Sequence, residues 1–300
     1  MRRLEHTRRA LTCGLTALTI TGLLAASPTT AFAEPILAIT TGNALLSFDS
    51  ATPGTTSVVM ISGIGGDQII GIDVRPATKQ LFGLSSTSNL YVIDALTGNA
   101  SLVGALGTPL SGTSFGVDFN PTVDRLRVTS DADQNLRINP ANPTGGTLVD
   151  TPLAYSAMDP NAGANPTVGG SAYTNNFNGA TTTTLYGIDT ALNTLVTQNP
   201  ANNGTLFTVG ALGFDATSLL GFDISGRTGM AYAAWATVGG PSVLYSVNLA
   251  TGLATVIGTI NTPSGQQVRG LAAAVPEPAT MALLGMGLLA TLRRRRTAAR

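Results

Sequence analysis

Leu90-Tyr-Val-Ile-Asp-Ala-Leu-Thr-Gly98 is an apolar run that stops at an acidic residue and turns on a glycine. Its β-branched and aromatic side chains favour a strand. The Asp can cap backbone N–H groups of the turn, and Gly accepts the left-handed backbone that a hairpin needs. The same strand unit recurs as Leu45-Leu-Ser-Phe-Asp49, Leu136-Arg-Ile-Asn139, Leu185-Tyr-Gly-Ile-Asp189 and Leu244-Tyr-Ser-Val-Asn248. The leading leucines lie 45, 46, 49 and 59 residues apart. The turn returns as Asn248-Leu-Ala-Thr-Gly252. Further strands ending in Val/Ile-Gly follow at Ser101-Leu-Val-Gly104, Thr208-Val-Gly210 and Thr255-Val-Ile-Gly258.

A second unit precedes the first. It reads Gly71-Ile-Asp-Val-Arg-Pro76, Gly116-Val-Asp-Phe-Asn-Pro121 and Gly221-Phe-Asp-Ile-Ser225, with a degenerate copy at Gly170-Ser-Ala-Tyr-Thr174. Short strands follow it at Gln80–Leu84, Arg125–Thr129 and Met230–Ala234. One period therefore holds about four strands in roughly 45–55 residues, the pattern of propeller blades. The fold class is all-β, a β-propeller with five blades, one for each Leu-led strand. The first copy lacks a preceding Gly-x-Asp strand, because Ile36-Leu-Ala-Ile-Thr40 opens the repeat region. Val268-Arg-Gly-Leu-Ala-Ala273 has the missing strand's character and is expected to complete blade one, leaving no free edge. Six blades are the alternative, since Leu148–Val168 could hold degenerate strands. The regular spacing disfavours a two-sheet sandwich.

The two ends differ from this middle in charge. The chain has 16 Lys+Arg and 16 Asp+Glu over 300 residues. Residues 34–274 hold seven of the basic residues and 14 of the acidic ones, a formal −7. Residues 1–33 and 275–300 are basic. The chain as a whole has 43% hydrophobic residues and a low charged fraction, so the middle is no disordered acidic tail. Its cations are few and scattered, which excludes a phosphate-tracking stripe and so argues against a nucleic-acid partner. The single His (His6) and single Cys (Cys13) both lie in the first segment. Once that segment is removed, no disulfide, Cys nucleophile, Ser–His pair or His/Cys metal site can form.

Residues 1–33 read as a signal peptide. Met1–Arg9 is the basic region, Ala10–Ala26 is uncharged, and Ala31-Phe-Ala33 supplies the small-x-small pattern before cleavage at Ala33/Glu34. Thr7-Arg8-Arg9-Ala10-Leu11 resembles a twin-arginine export motif but has Thr for Ser and no following Lys, so the general secretory route is favoured. At the other end, Val275, Pro276, Glu277 and Pro278 precede the 14-residue apolar run Ala279–Leu292 and four arginines, Arg293–Arg296. The run is short for a full span of about 20 residues. The arginines would hold its end on the cytoplasmic side. The expected organisation is thus 1–33 signal, 34–274 propeller and 275–300 sorting signal.

The tail's layout resembles the PEP-CTERM sorting signal of Gram-negative bacteria. That resemblance implies transient membrane anchoring through the C-terminal helix and cleavage near Pro276–Pro278 by an exosortase-type protease. It further implies delivery to the cell surface or extracellular matrix after passage through the export machinery. The middle resembles an uncharacterised bacterial domain-of-unknown-function family grouped with β-propellers. The similarity rests on Gly116–Val128, Gln134–Arg137, Ala172–Asn176, Thr184–Tyr186 and Thr197–Pro200. It implies a fold and carries no activity.

Asp73, Asp118 and Asp223 occupy one position in the inner strand of three blades, where they would line the central channel. Converging carboxylates repel unless a cation neutralises them, so an oxygen-ligand metal site for calcium is one reading. The other is that each Asp accepts neighbouring backbone N–H groups. Asp131-Ala-Asp-Gln-Asn135 opens like a calcium loop but has Leu136 and Asn142 where Gly and Glu belong, which favours a plain loop. Arg125, Arg127 and Arg137 could hold an anionic glycan or pair with nearby acids. Tyr173 and Asn175, with Tyr155, Trp235 and Asn176, could form a sugar platform, against which stands ordinary core packing. No cofactor is required. The expected function is a non-enzymatic binding or structural propeller at the cell surface, with extracellular polysaccharide or a surface protein as partner. The alternative is a calcium-dependent hydrolase or lactonase using the channel carboxylates, although no matched general base is evident.

Overall fold

The computed structural model describes residues 33–237 and 239–273. The expected signal residues 1–32 and the motif residues Val275, Pro276, Glu277 and Pro278, with the apolar run and arginines behind them, lie outside the described residues. Blade one begins with β1 (Pro35–Thr40), β2 (Ala44–Asp49) and β3 (Thr56–Met60). Blade two is β4 (Ile69–Val74), β5 (Leu81–Ser85), β6 (Asn89–Ile93) and β7 (Ala100–Ala105). Blade three is β8 (Phe115–Asn120), β9 (Arg125–Ser130), β10 (Asn135–Ile138) and β11 (Thr147–Val149). Blade four contains β12 (Ala154–Tyr155), β13 (Val168–Tyr173), β14 (Leu185–Asp189), β15 (Thr194–Gln198) and β16 (Thr205–Ala211). Blade five is β17 (Leu220–Ile224), β18 (Ala231–Ala236), β19 (Ser242–Val247) and β20 (Ala254–Thr259). The last strand, β21 (Val268–Ala273), pairs antiparallel with β1 and supplies the inner strand of blade one.

Five sheets therefore form a five-bladed propeller, and the inner strands β4, β8, β13, β17 and β21 touch in ring order. The long stretch around Leu148–Val168 makes no sixth blade. It ends blade three with β11 and then lays the two-residue β12 parallel along the outer strand of blade four. Among the described residues no helix is long and apolar enough to cross a membrane.

Burial falls from the axis to the rim. Inner strands β13 and β17 are buried throughout, whereas outer strands β3, β7 and β20 are mostly open to solvent. The cores lie between blades. Ile36, Ala38 and Leu46 of blade one pack with Tyr232, Ala234 and Leu244 of blade five, and Phe82 and Leu84 of blade two with Phe119 and Val128 of blade three. Each blade thus buries its apolar faces only against its neighbours, which makes ring closure part of core formation.

The recurring turn behaves as its residues dictate. Asp94 Oδ1 accepts the N–H groups of Leu96 (2.8 Å) and Thr97 (3.0 Å), and Gly98 takes φ 76°. Asn248 Oδ1 does the same for Ala250 and Thr251, with Gly252 at φ 82°. The Val/Ile-Gly endings also have a structural cause. Leu90 pairs with Gly104 while Tyr91 pairs with Leu102, so Val103 is the extra residue of a bulge. Val209 and Ile257 are skipped in the same way in blades four and five. Such bulges increase the local twist that radially packed sheets require.

Candidate functional site

The Gly-x-Asp unit places its side chains at the seam between neighbouring inner strands. Glycine is needed there because a Cβ on Gly221 would sit 2.5 Å from the backbone nitrogen of Leu271 in β21. A Cβ on Gly71 would meet the Val117 side chain at the same distance. Close approach then lets each Asp reach the next blade. Asp73 Oδ2 accepts the N–H of Phe119 (2.7 Å), Asp118 Oδ1 that of Tyr173 (3.2 Å), and Asp223 Oδ2 that of Ala273 (2.6 Å). In every case the donor lies one residue past the equivalent position, which holds Asp118, Ala172 or Ala272. Asp73 Oδ1 and Asp223 Oδ1 also accept the N–H of Val74 and Ile224, both at 2.6 Å.

These hooks bring the three carboxylates together, with one oxygen of each within 4.8 Å of the others. All three side chains are buried. Burial pushes Asp73 well above the usual carboxylate range, and the charge of Asp223 adds to it. Asp118 is raised likewise by burial and by the charges of Asp73 and Asp223. Asp223 is pushed up to about 7 by burial, against the pull of the Ala273 N–H, Asp118 and the Ile224 N–H. Among the described residues Asp118 Oδ2 meets no backbone or hydroxyl donor, and a hydrogen bond between the Asp118 and Asp223 carboxyls requires a proton on one of them. A narrow opening between the inner strands is lined by Gly71, Gly116, Gly170, Gly221, Gly270 and Arg269. Arg269 donates to Gln68 Oε1 at 3.1 Å.

The arginine cluster lies on β9 and β10, the middle strands of blade three, and reaches to Asp150 just past β11. Arg127 and Arg137 are directly opposite in the β9–β10 pairing. Like charges placed so need an anion between them. Asp150, just past β11, supplies it: Oδ2 accepts from Arg127 Nη1 (2.7 Å) and Arg137 Nε (2.6 Å), and Oδ1 from Arg137 Nη2 (2.8 Å). Arg127 is 1% exposed and donates further to Asn135 Oδ1, Asn202 Oδ1 and the Tyr173 hydroxyl. This network links blade three to blade four. Burial would raise Asp150, but the two guanidinium groups hold it below the usual range. Arg125 instead donates to the carbonyls of Asp124 and Val123. Asp124 pairs with Arg75 of blade two.

Arg127 and Tyr173, expected as contacts for a glycan or partner, thus have no solvent-facing side chain. Tyr155 and Trp235 are buried too. Tyr155 donates to Asp189 Oδ2 at 2.6 Å, and Trp235 stacks on Tyr245 at 3.9 Å. Asn175 takes φ 55° in the β13–β14 loop, where its amide donates to the Thr182 carbonyl. Asp131 accepts the N–H and hydroxyl of Thr113, as a loop-bracing residue does. Reading by residue type missed Asp150 and Asn202, and placed Asn135 only in a calcium-like loop rather than in this network. The facing Arg127–Arg137 pair is the signal that could have pointed to them. Glu34, read only as the residue after the signal cleavage point, is buried and accepts a hydrogen bond from the Thr228 hydroxyl.

No curated protein matches the chain. Among solved structures it is similar to TolB from Acinetobacter baumannii, with 13% identity, TM-score 0.43, and coverage of 76% of this chain and 54% of that one. A protein of unknown function from Bacteroides thetaiotaomicron matches with 13% identity, TM-score 0.49, and coverage of 77% and 64%. The Nidogen/Laminin complex matches with 12% identity, TM-score 0.45, and coverage of 80% and 85%. The chain thus spans about half to two thirds of the first two. A PEP-CTERM protein-sorting motif matches residues 274–296, which implies export in a Gram-negative bacterium and processing by an exosortase. The stretch from β2 to β21, residues 44–272, matches one family model, and the chain accordingly belongs to the family described as Domain of unknown function (DUF4394).

Proposed function

We propose that the protein is a non-enzymatic binding or structural propeller of the cell surface or extracellular matrix, associated with exopolysaccharide. The observation that carries this reading is the sorting motif beginning at residue 274, directly after the strand that closes the ring. In this reading residues 1–33 are a signal peptide cut at Ala33/Glu34. Cleavage near Pro276–Pro278 then releases the propeller of residues 34–274 from its short membrane anchor. Arg125, Arg137 and Asn175, on blades three and four, are the contacts offered to an anionic glycan or surface protein, while the buried Arg127, bonded to the Tyr173 hydroxyl, braces Arg137 through their shared Asp150. No cofactor is required for such binding.

The convergent carboxylates favour a second reading, a calcium-dependent hydrolase or lactonase. Substrate would then have to reach Asp73, Asp118 and Asp223 through the narrow seam of inner strands, and all three are buried. One experiment separates the two. The processed protein is mixed with the host's exopolysaccharide at several salt concentrations and assayed against ester and lactone panels. Retention without turnover is the expected result. Turnover abolished by Asp118→Asn would replace the first reading by the second, and neither retention nor turnover would count against both.

A further inference from the structure

We propose that Asp73, Asp118 and Asp223 together hold one divalent cation of calcium size, and that this ion ties the whole ring. The proposal is independent of what the outer face binds. Its first support is geometric. One oxygen from each carboxylate lies within 4.8 Å of the other two. Oxygens around calcium stand 2.3–2.6 Å from the ion, so ligands of one ion are at most roughly 5 Å apart.

The second support is the pattern of partners. Five of the six carboxylate oxygens accept a backbone N–H, from Val74, Phe119, Tyr173, Ile224 and Ala273. The sixth, Asp118 Oδ2, is buried and, among the described residues, meets no backbone or hydroxyl donor, so that only a proton shared with Asp223 or a cation can satisfy it. A buried polar atom with no partner is costly and calls for an explanation. The N–H bonds use one lone pair of each accepting oxygen and leave the other for an ion. Among the described residues no guanidinium or ammonium pairs with the three carboxylates. Arg127, cross-strand from Asp118, is turned away to Asp150. An all-oxygen, all-carboxylate donor set suits a hard cation, and calcium tolerates irregular geometry better than magnesium.

The consequence concerns all five blades. The ligands belong to blades two, three and five, and the N–H groups they hold across the seams belong to blades three, four and one. One ion at this point would therefore fix every blade, either as ligand donor or through a ligand's hook.

The test uses the full chain, purified and stripped with EDTA, then titrated with Ca²⁺ in a calorimeter and melted with and without Ca²⁺. One Ca²⁺ per chain is expected. At about a hundredfold excess over Kd the unfolding midpoint should rise by roughly 5–10 °C. Asp118→Asn keeps an oxygen for the Tyr173 N–H but loses the anionic oxygen, and should weaken Ca²⁺ at least about tenfold. Asp67→Asn, at a carboxylate already held by Ser85, Asn89 and Tyr91, should leave binding unchanged. A midpoint and heat signal indifferent to millimolar Ca²⁺ would overturn the proposal. Binding that survives Asp118→Asn but falls with Asp67→Asn would do the same. Should Asp118→Asn fail to fold, the wild-type stoichiometry and midpoint still decide.

Discussion

The inner and outer edges of blade three each bury a carboxylate, and the two behave in opposite ways. Asp150 at the outer edge is 6% exposed by side chain and is gripped by Arg127 and Arg137. Asp118 at the inner edge is 0% exposed and faces two further carboxylates. Asp150 is held below the usual range although burial pushes it upward, whereas Asp118 is raised well above it. Burial pushes both upward, Asp118 the more strongly because it is the more deeply buried, and the neighbours' charges, of opposite sign, widen the difference. The outer network is electrically closed by the chain's own residues. The inner cluster is closed only by something taken up from solution, a proton or a metal ion.

The largest expected effect comes from breaking the outer site. Arg127→Met leaves Asp150, Asn135 and Asn202 facing an apolar side chain and should cost about 3–5 kcal/mol in urea denaturation. A cost below about 1 kcal/mol would mean that the closed network is not what separates the two edges.

Next in size is the pH response measured with a chelator present. Asp223, near 7 in the folded protein, keeps a proton that the unfolded chain releases near 4. With respect to this group the folded state then binds more protons than the unfolded one, so its contribution is fullest below about 4 and is lost as pH rises towards 7. The slope from this group is at most about 1.4 kcal/mol per pH unit. Asp150 acts in the opposite sense. Its contribution is present above the ordinary carboxylate pKa and is lost as pH falls below it. A profile flat from pH 4 to 7 would remove the contrast. The smallest effect is expected for Arg137→Gln. That side chain is 31% exposed and leaves Arg127 on Asp150, so the cost should stay under about 1 kcal/mol.

The parts of this picture that were legible in the sequence depend on short-range chemistry. The Leu-led strand, its capping Asp or Asn and the turn glycine are local, and they gave the blades and their number. Val268–Ala273 could be assigned to blade one because its Gly-x-Ala matches the inner-strand pattern. The repeated Asp also stood out. What it touches did not, because each hook joins residues 46 to 55 positions apart, across a seam with no local signature. Asp150 was hidden for a related reason. It follows a three-residue strand, and only the register between β9 and β10 shows that two arginines face one another there. The long stretch after Leu148 looked able to hold strands of its own, but it has too few alternating residues for a blade and instead edges blade four with β12.

Ring closure has a further consequence for synthesis. Blade one starts with the first strands among the described residues but lacks its inner member until Val268–Ala273 has been made. The last of these residues, Ala273, is the one whose N–H Asp223 accepts. A chain that terminates anywhere earlier leaves blades one and five with an uncovered seam. The sorting motif starts at residue 274, immediately beyond. Ring completion thus requires synthesis through Ala273, one residue ahead of the sorting motif.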